Sequence, residues 1–138
     1  MYIVISGCGK IGRDILENLV SEGHDVTAID TDPAIIEEVN NVYDVMGVCG
    51  NGADYETLEE AEINKANLFI SATGSDELNM LSCFFARKMG AHHTVARIRN
   101  PEYNDKSLGF MKNQLHLSMA INPELITAQE LFGMLKLP

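Results

Sequence analysis

The chain has 138 residues, 46% hydrophobic and 22% charged, which suits a single globular domain with a real core. A formal net charge of −10 argues against a nucleic-acid partner, and no apolar run of about 18 residues is present to span a membrane. Three cysteines, Cys8, Cys49 and Cys83, stand far apart without a CxxC pair, so neither a zinc site nor a disulfide framework is suggested.

Tyr2 to Ser6 reads as a strand, leaving no room ahead of it for a signal peptide, and the chain is expected to be intracellular. The strand breaks at Gly7-Cys8-Gly9-Lys10-Ile11-Gly12 into a helix, a GxGxxG turn in its mechanical setting. Gly7 permits the tight turn, Gly9 keeps side chains away from a phosphate, and Gly12 lets the helix lie close on the strand. The unpaired N–H groups and positive dipole end of that helix would face the same phosphate.

Asp25 to Ile29 is a second strand, ending in Asp30, which stands 18 residues after Gly12. That is close to the spacing at which an acid accepts hydrogen bonds from an adenosine ribose. A carboxylate there would repel a 2′-phosphate, favouring NAD or an adenine nucleotide over NADP. Alternatively, Asp30 begins a turn through Thr31-Asp32-Pro33, although Asp32 is the better helix cap.

Pro33 to Asn41 reads as a short helix and Asp44 to Cys49 as a third strand. Gly50-Asn51-Gly52-Ala53 then turns into a capped helix, Asp54 to Ala61, before a fourth strand from Asn67 to Ala72. Thr73-Gly74-Ser75 leads into a long helix, Asp76 to Met89, closed by Gly90. Thr94 to Ile98 is a fifth strand, Asn100-Pro101-Glu102 opens another helix, and Leu117 to Ile121 is a sixth strand. Asn122-Pro123-Glu124 opens a last helix reaching about Leu137.

Alternating strands and helices with apolar strands imply an α/β fold, a doubly wound parallel six-stranded sheet of the Rossmann type in order 3-2-1-4-5-6. Ligands bind at the carboxyl ends of such strands where the order reverses. The loops gathered there carry Gly7, Gly9 and Lys10, then Asp30 and Asp32, then Asn51, Ala53 and Asp54, then Thr73, Asp76, Glu77 and Asn79. Asp54 is either an adenine contact or only an N-cap. Arg97 and Arg99 share a face of the fifth strand and need carboxylate, phosphate or subunit partners. No catalytic constellation appears: His92 and His93 point to opposite faces, and no HExxH or Tyr-x-x-x-Lys is present.

The segments GCGKIG, AIDTDP, GNGADYETLEEAEI, ATGSDELNMLSCFFARKMGA, ARIRNPEY and INPELITAQELFGMLKLP resemble, in order and wording, the TrkA N-terminal domain, also called the RCK or KTN domain. The resemblance covers essentially residues 1–138. It implies a cytoplasmic regulatory subunit or domain of a potassium uptake system, held at the inner face of the membrane by a Trk- or Ktr-type translocating subunit. Such domains bind NAD, NADH, ATP or ADP and reshape a ring-like assembly instead of catalysing a reaction. NAD or NADH is the first expectation here, ATP or ADP the alternative.

By matching positions, the family's nucleotide contacts fall on Gly7, Gly9, Lys10, Ile11, Gly12, Asp30, Asn51, Ala53, Thr73 and Arg97. Cys8, Thr31, Asp32, Gly52, Ala72, Gly74 and Asn79 complete the candidate set. The chain stops where the family's second lobe usually begins, so an excised first domain is the first expectation and a gene product acting with a separate partner the alternative. Its last helix, about 123–137, would be a crossover or dimerisation helix. The long helix from Asp76 is apolar nearly all round, which predicts a homodimer or larger ring. The competing class is the cofactor-binding domain of an NAD-dependent oxidoreductase, whose substrate region the sequence does not supply.

Overall fold

Apolar strands that alternate faces need cover on both sides, and that requirement organises the chain. The computed structural model describes residues 1–103, 105–115, 117–121, 130, 132 and 133. Its elements run β1 (Tyr2–Ser6), α1 (Lys10–Ser21), β2 (Asp25–Asp30), α2 (Pro33–Val42), β3 (Met46–Cys49) and α3 (Tyr55–Glu60). A single 3-10 turn at Ile63–Lys65 precedes β4 (Leu68–Ser71), α4 (Asp76–Lys88), β5 (His93–Arg97), α5 (Asp105–Leu115) and β6 (Met119–Ile121). The strands form one parallel sheet in the order β3-β2-β1-β4-β5-β6, as the alternation of elements predicts.

Neighbouring side chains on one strand enter different cores. Ile3 and Ile5 of β1 join Leu16 and Leu19 of α1, Val39 of α2, Leu68 and Ile70 of β4 and Val95 of β5. Val4, between them, joins Leu58 of α3, Phe69 of β4, and Met80, Cys83 and Ala86 of α4 on the opposite face. Both layers are dry, with Ile3, Val4, Ile5 and Phe69 at 0% exposure. Phe132, from the segment expected to form the last helix, is buried in the α1 layer with its ring edge on His24, centroids 5.2 Å apart. The remainder of that expected helix lies outside the described residues.

One expectation changes. The Asn-Pro pair at Asn100-Pro101 opens a turn, not a helix, and α5 starts only at Asp105. The physical reason is that Asn100 uses its side-chain oxygen on the Glu102 N–H (2.9 Å) and its carbonyl on the Tyr103 N–H (3.1 Å). Helix α4 has apolar residues on two sides, as its sequence reads: Met80, Cys83 and Ala86 enter the core, while Leu81 and Phe85 stay 45% and 37% exposed. Gly90, with φ of +119°, follows the last turn of that helix as its position predicts.

Candidate functional site

The chain leaves β1 toward β2 on one side and returns to β4 on the other, so the loops at their carboxyl ends diverge and open a cleft of about 450 Å³. Ser6, Gly7, Gly9, Lys10 and Ile11 supply its centre, and Asp30, Thr31 and Ile35 one wall. Gly50, Asn51 and Gly52 close the β3 end; Ala72, Thr73, Gly74, Leu78 and Arg97 close the β4–β5 end.

The three glycines of the turn differ in what they permit. Gly7 has φ of +94°, and a Cβ there would stand 2.7 Å from the Thr73 nitrogen, so the turn crosses directly over the loop after β4. A Cβ on Gly12 would fall on the Gly7 carbonyl oxygen. Gly9 is the opposite case: its φ is −70° and nothing lies within 4 Å of a Cβ. The space beside it is the cleft.

Helices α2, α3 and α4 each begin with a side-chain cap, from Asp32, Asp54 and Ser75. Helix α1 begins at Gly9 with none. Its first amides therefore keep their donors toward the cleft, with the positive end of the helix behind them.

Asp30 faces this turn. Its Oδ2 accepts from the Cys8 N–H (2.8 Å) and its Oδ1 from the Asp32 N–H (2.9 Å), so one carboxylate ties the glycine turn to the loop after β2. Asp30 thus begins the turn, one of the two roles the sequence left open, and also lines the cleft. For Asp54 the cap is what the structure shows: the carboxylate takes the N–H and Oγ1–H of Thr57 at 3.1 and 2.9 Å, outside the cleft lining. Asn51 Oδ1 receives the Ala53 N–H at 2.8 Å, shaping the floor at Gly52, where a Cβ would strike the Ser6 side chain.

At the far end, Asn79 Oδ1 accepts from the Thr73 N–H (2.9 Å), and its Nδ2 donates to the Arg97 carbonyl (2.9 Å). Arg97 Nη1 donates to the Thr73 carbonyl (3.3 Å) and Arg99 Nη2 to the Gly74 carbonyl (3.2 Å), so the two arginines do share a face. The buried carboxylate of Asp76 receives backbone N–H groups, from Arg99 at 3.1 Å and Asn100 at 2.7 Å.

Of the candidate set, Gly7, Gly9, Lys10, Ile11, Asp30, Thr31, Asn51, Gly52, Ala72, Thr73, Gly74 and Arg97 come together around the cleft. Cys8, Gly12, Asp32, Ala53 and Asn79 sit behind it as supports. Burial, then the neighbouring Asp30 charge, push the Cys8 thiol up to about 12, so it stays neutral and packs against α1. Sequence reasoning missed Ser6, Ile35, Gly50 and Leu78 as lining residues. Ser6 and Gly50 were readable from strand register, because they sit at the carboxyl ends of β1 and β3. Among the described residues no group of three His, Cys, Asp or Glu side chains is placed to hold a metal ion.

A parallel sheet that reverses at β1, with an uncapped helix over a glycine turn, defines a doubly wound α/β domain of the Rossmann type. The chain belongs to the TrkA-N domain family, whose model matches residues 3–122. A Trk system potassium uptake protein TrkA homolog of Archaeoglobus fulgidus is 36% identical over 138 residues, all of this chain and 31% of that protein. Its counterpart in Methanothermobacter thermautotrophicus is 41% identical over 105 residues, 76% of this chain and 49% of that protein.

The match therefore spans less than half the length of these two relatives, both named as potassium uptake proteins. Among solved structures, the GsuK channel bound to NAD superimposes with a TM-score of 0.72 at 18% identity, over 87% of this chain and 21% of that one. The GsuK structure bound to ADP gives 0.71 at 18% identity, over 87% of this chain and 30% of that one. At that identity the likeness is one of fold.

Proposed function

We propose that this domain binds an adenine nucleotide, NAD or NADH first and ATP or ADP as the alternative, and that occupancy regulates a potassium uptake system without turnover of the ligand. The observation that carries the reading is the uncapped start of α1 beside Gly9, with Asp30 facing the same turn. An anion fits there because the backbone supplies donors and no side chain intervenes. In this reading the ribose hydroxyls donate to Asp30, the adenine lies toward Asn51 and Gly52, and the phosphates meet the turn and the Lys10 ammonium.

The family and its potassium uptake relatives support a cytoplasmic regulatory role, with a membrane-embedded translocating subunit as partner and self-association into a dimer or ring. Among the described residues no helix is long and apolar enough to cross a membrane. The GsuK channel, solved with NAD and with ADP, supports the ligand class. A regulatory ligand must bind two conformations unequally, typically by ~1–3 kcal/mol.

Calorimetric titration with NAD, NADH, ATP and ADP tests the reading. Saturable binding of at least one, weakened by Asp30→Ala, is the expected result. No heat with any of the four, or an affinity indifferent to Asp30→Ala, refutes it.

A further inference from the structure

The β4–β5 ladder runs from Leu68↔His93 to Ser71↔Ala96 and stops there. Beyond it both chains continue into the cleft wall, at Thr73 and Arg97. Besides the hydrogen bond from Arg97 Nη1 to the Thr73 carbonyl (3.3 Å), they are joined by the primary amide of Asn79, which comes from α4 and is 0% exposed. Its oxygen accepts from the Thr73 N–H (2.9 Å), the Thr73 hydroxyl (2.6 Å) and the Ser71 hydroxyl (3.0 Å). Its nitrogen donates to the carbonyls of Thr73 (3.1 Å) and Arg97 (2.9 Å). The orientation is fixed by chemistry, because a backbone N–H needs the oxygen and two carbonyls need the NH₂.

We propose that Asn79 is a positioning residue that sets the spacing of Thr73 and Arg97, and with it the affinity for the part of a ligand lying beyond the first phosphate. It does so without touching that ligand. The inference rests on the nucleotide reading above. On that reading Asp30 and Asn51, which line the β2–β3 side of the glycine turn, hold the adenosine, so everything past the turn lies toward β4 and β5. The amide behaves as one further peptide unit between two strands that have parted. Asp, its isostere, keeps the acceptor but turns a charged oxygen on two carbonyls, which repel it.

The test compares AMP, which ends at the glycine turn, with NAD, which extends past it, on the 138-residue chain and its Asn79→Asp variant. Loss of the two donated bonds is expected to weaken NAD binding about tenfold and leave AMP within about twofold. Hydrogen exchange at the Thr73 amide is read in parallel without ligand on Asn79→Ala, which removes the oxygen that amide donates to, and should quicken by about tenfold or more as the tie loosens. Asn79→Ala, which drops both donors together with the acceptor, carries the same comparison if the aspartate variant does not fold.

Equal losses for AMP and NAD would reduce Asn79 to general structure and overturn the proposal, as would unchanged NAD affinity. Unchanged exchange at Thr73 would overturn it independently of any nucleotide. A parent chain that binds neither AMP nor NAD would overturn the nucleotide reading and the ligand half of this inference together, while the exchange measurement still judges the tie itself.

Discussion

Replacing Asp76 by alanine should destabilise the domain far more than its place in the first turn of a helix suggests. The side chain is 7% exposed and takes the backbone N–H groups of Arg99 and Asn100, which have left the sheet. Alanine strands both donors, at ~1–3 kcal/mol each when buried, and removes a favourable charge at the start of α4, ~0.3–1 kcal/mol more. Arg99 is exposed, so water satisfies part of the loss, and a net cost of about 2–4 kcal/mol follows. For a domain of this size that is a fall in Tm on the order of 10 °C.

Asp105 provides the control: it too lies in the first turn of a helix but is exposed, and its alanine variant should change stability by no more than about 0.5 kcal/mol. Urea unfolding of both variants, with unchanged m-values, isolates the tie from the charge at the helix end. If Asp76→Ala costs no more than Asp105→Ala, the carboxylate does not hold the β5–α5 loop and the argument fails.

The glycines of the turn should separate binding from folding. Gly9→Val places a side chain into open space at φ of −70°, so Tm should hold within a few degrees, by circular dichroism, while any nucleotide-induced rise in Tm disappears. Gly12→Ala should instead cost about 2 kcal/mol or more of unfolding free energy, because its Cβ meets the Gly7 carbonyl, a backbone atom that cannot step aside. Burial holds the thiols of Cys8 and Cys83 well above the ordinary range, while Cys49 is exposed. Raised values mean less thiolate at a given pH, so iodoacetamide near pH 8 should label Cys49 alone in the native chain and all three cysteines in denaturant, as intact mass will report.

The strands were legible because each is an apolar run ended by a turn residue, and the sheet order matches the usual order for a doubly wound sheet behind a GxGxxG turn. The glycine turn was legible for the same reason that it works: it follows a strand and opens a helix. What escaped the sequence depends on competition between local bonds. Asn-Pro was read as a helix start because asparagine caps helices, yet Asn100 folds its oxygen back on Glu102 while its own N–H goes to Asp76.

The 3-10 turn after α3 hinges on Glu62 at φ of +55°, a conformation no residue type announces outside glycine or asparagine. Asn79 looked like a ligand contact because a polar residue near a binding loop has two readings. Only its five bonds to Ser71, Thr73 and Arg97 distinguish them.

Those bonds also join two stretches of sequence, GSDELN and ARIRNPEY, that lie more than a helix apart in the chain. They are one structure divided between α4 and the end of β5. Asp76 and Asn79 from the first bind the backbone at Arg97, Arg99 and Asn100 in the second, and Arg99 returns a hydrogen bond to Gly74. Each bond joins a side chain to backbone, so the partner's identity matters less than its place. The residues supplying the side chains must be an acid and an amide at a spacing of three, which brings both onto one side of a helix start. The loop after β4 and the path of the chain beyond β5 are therefore held by the same few bonds.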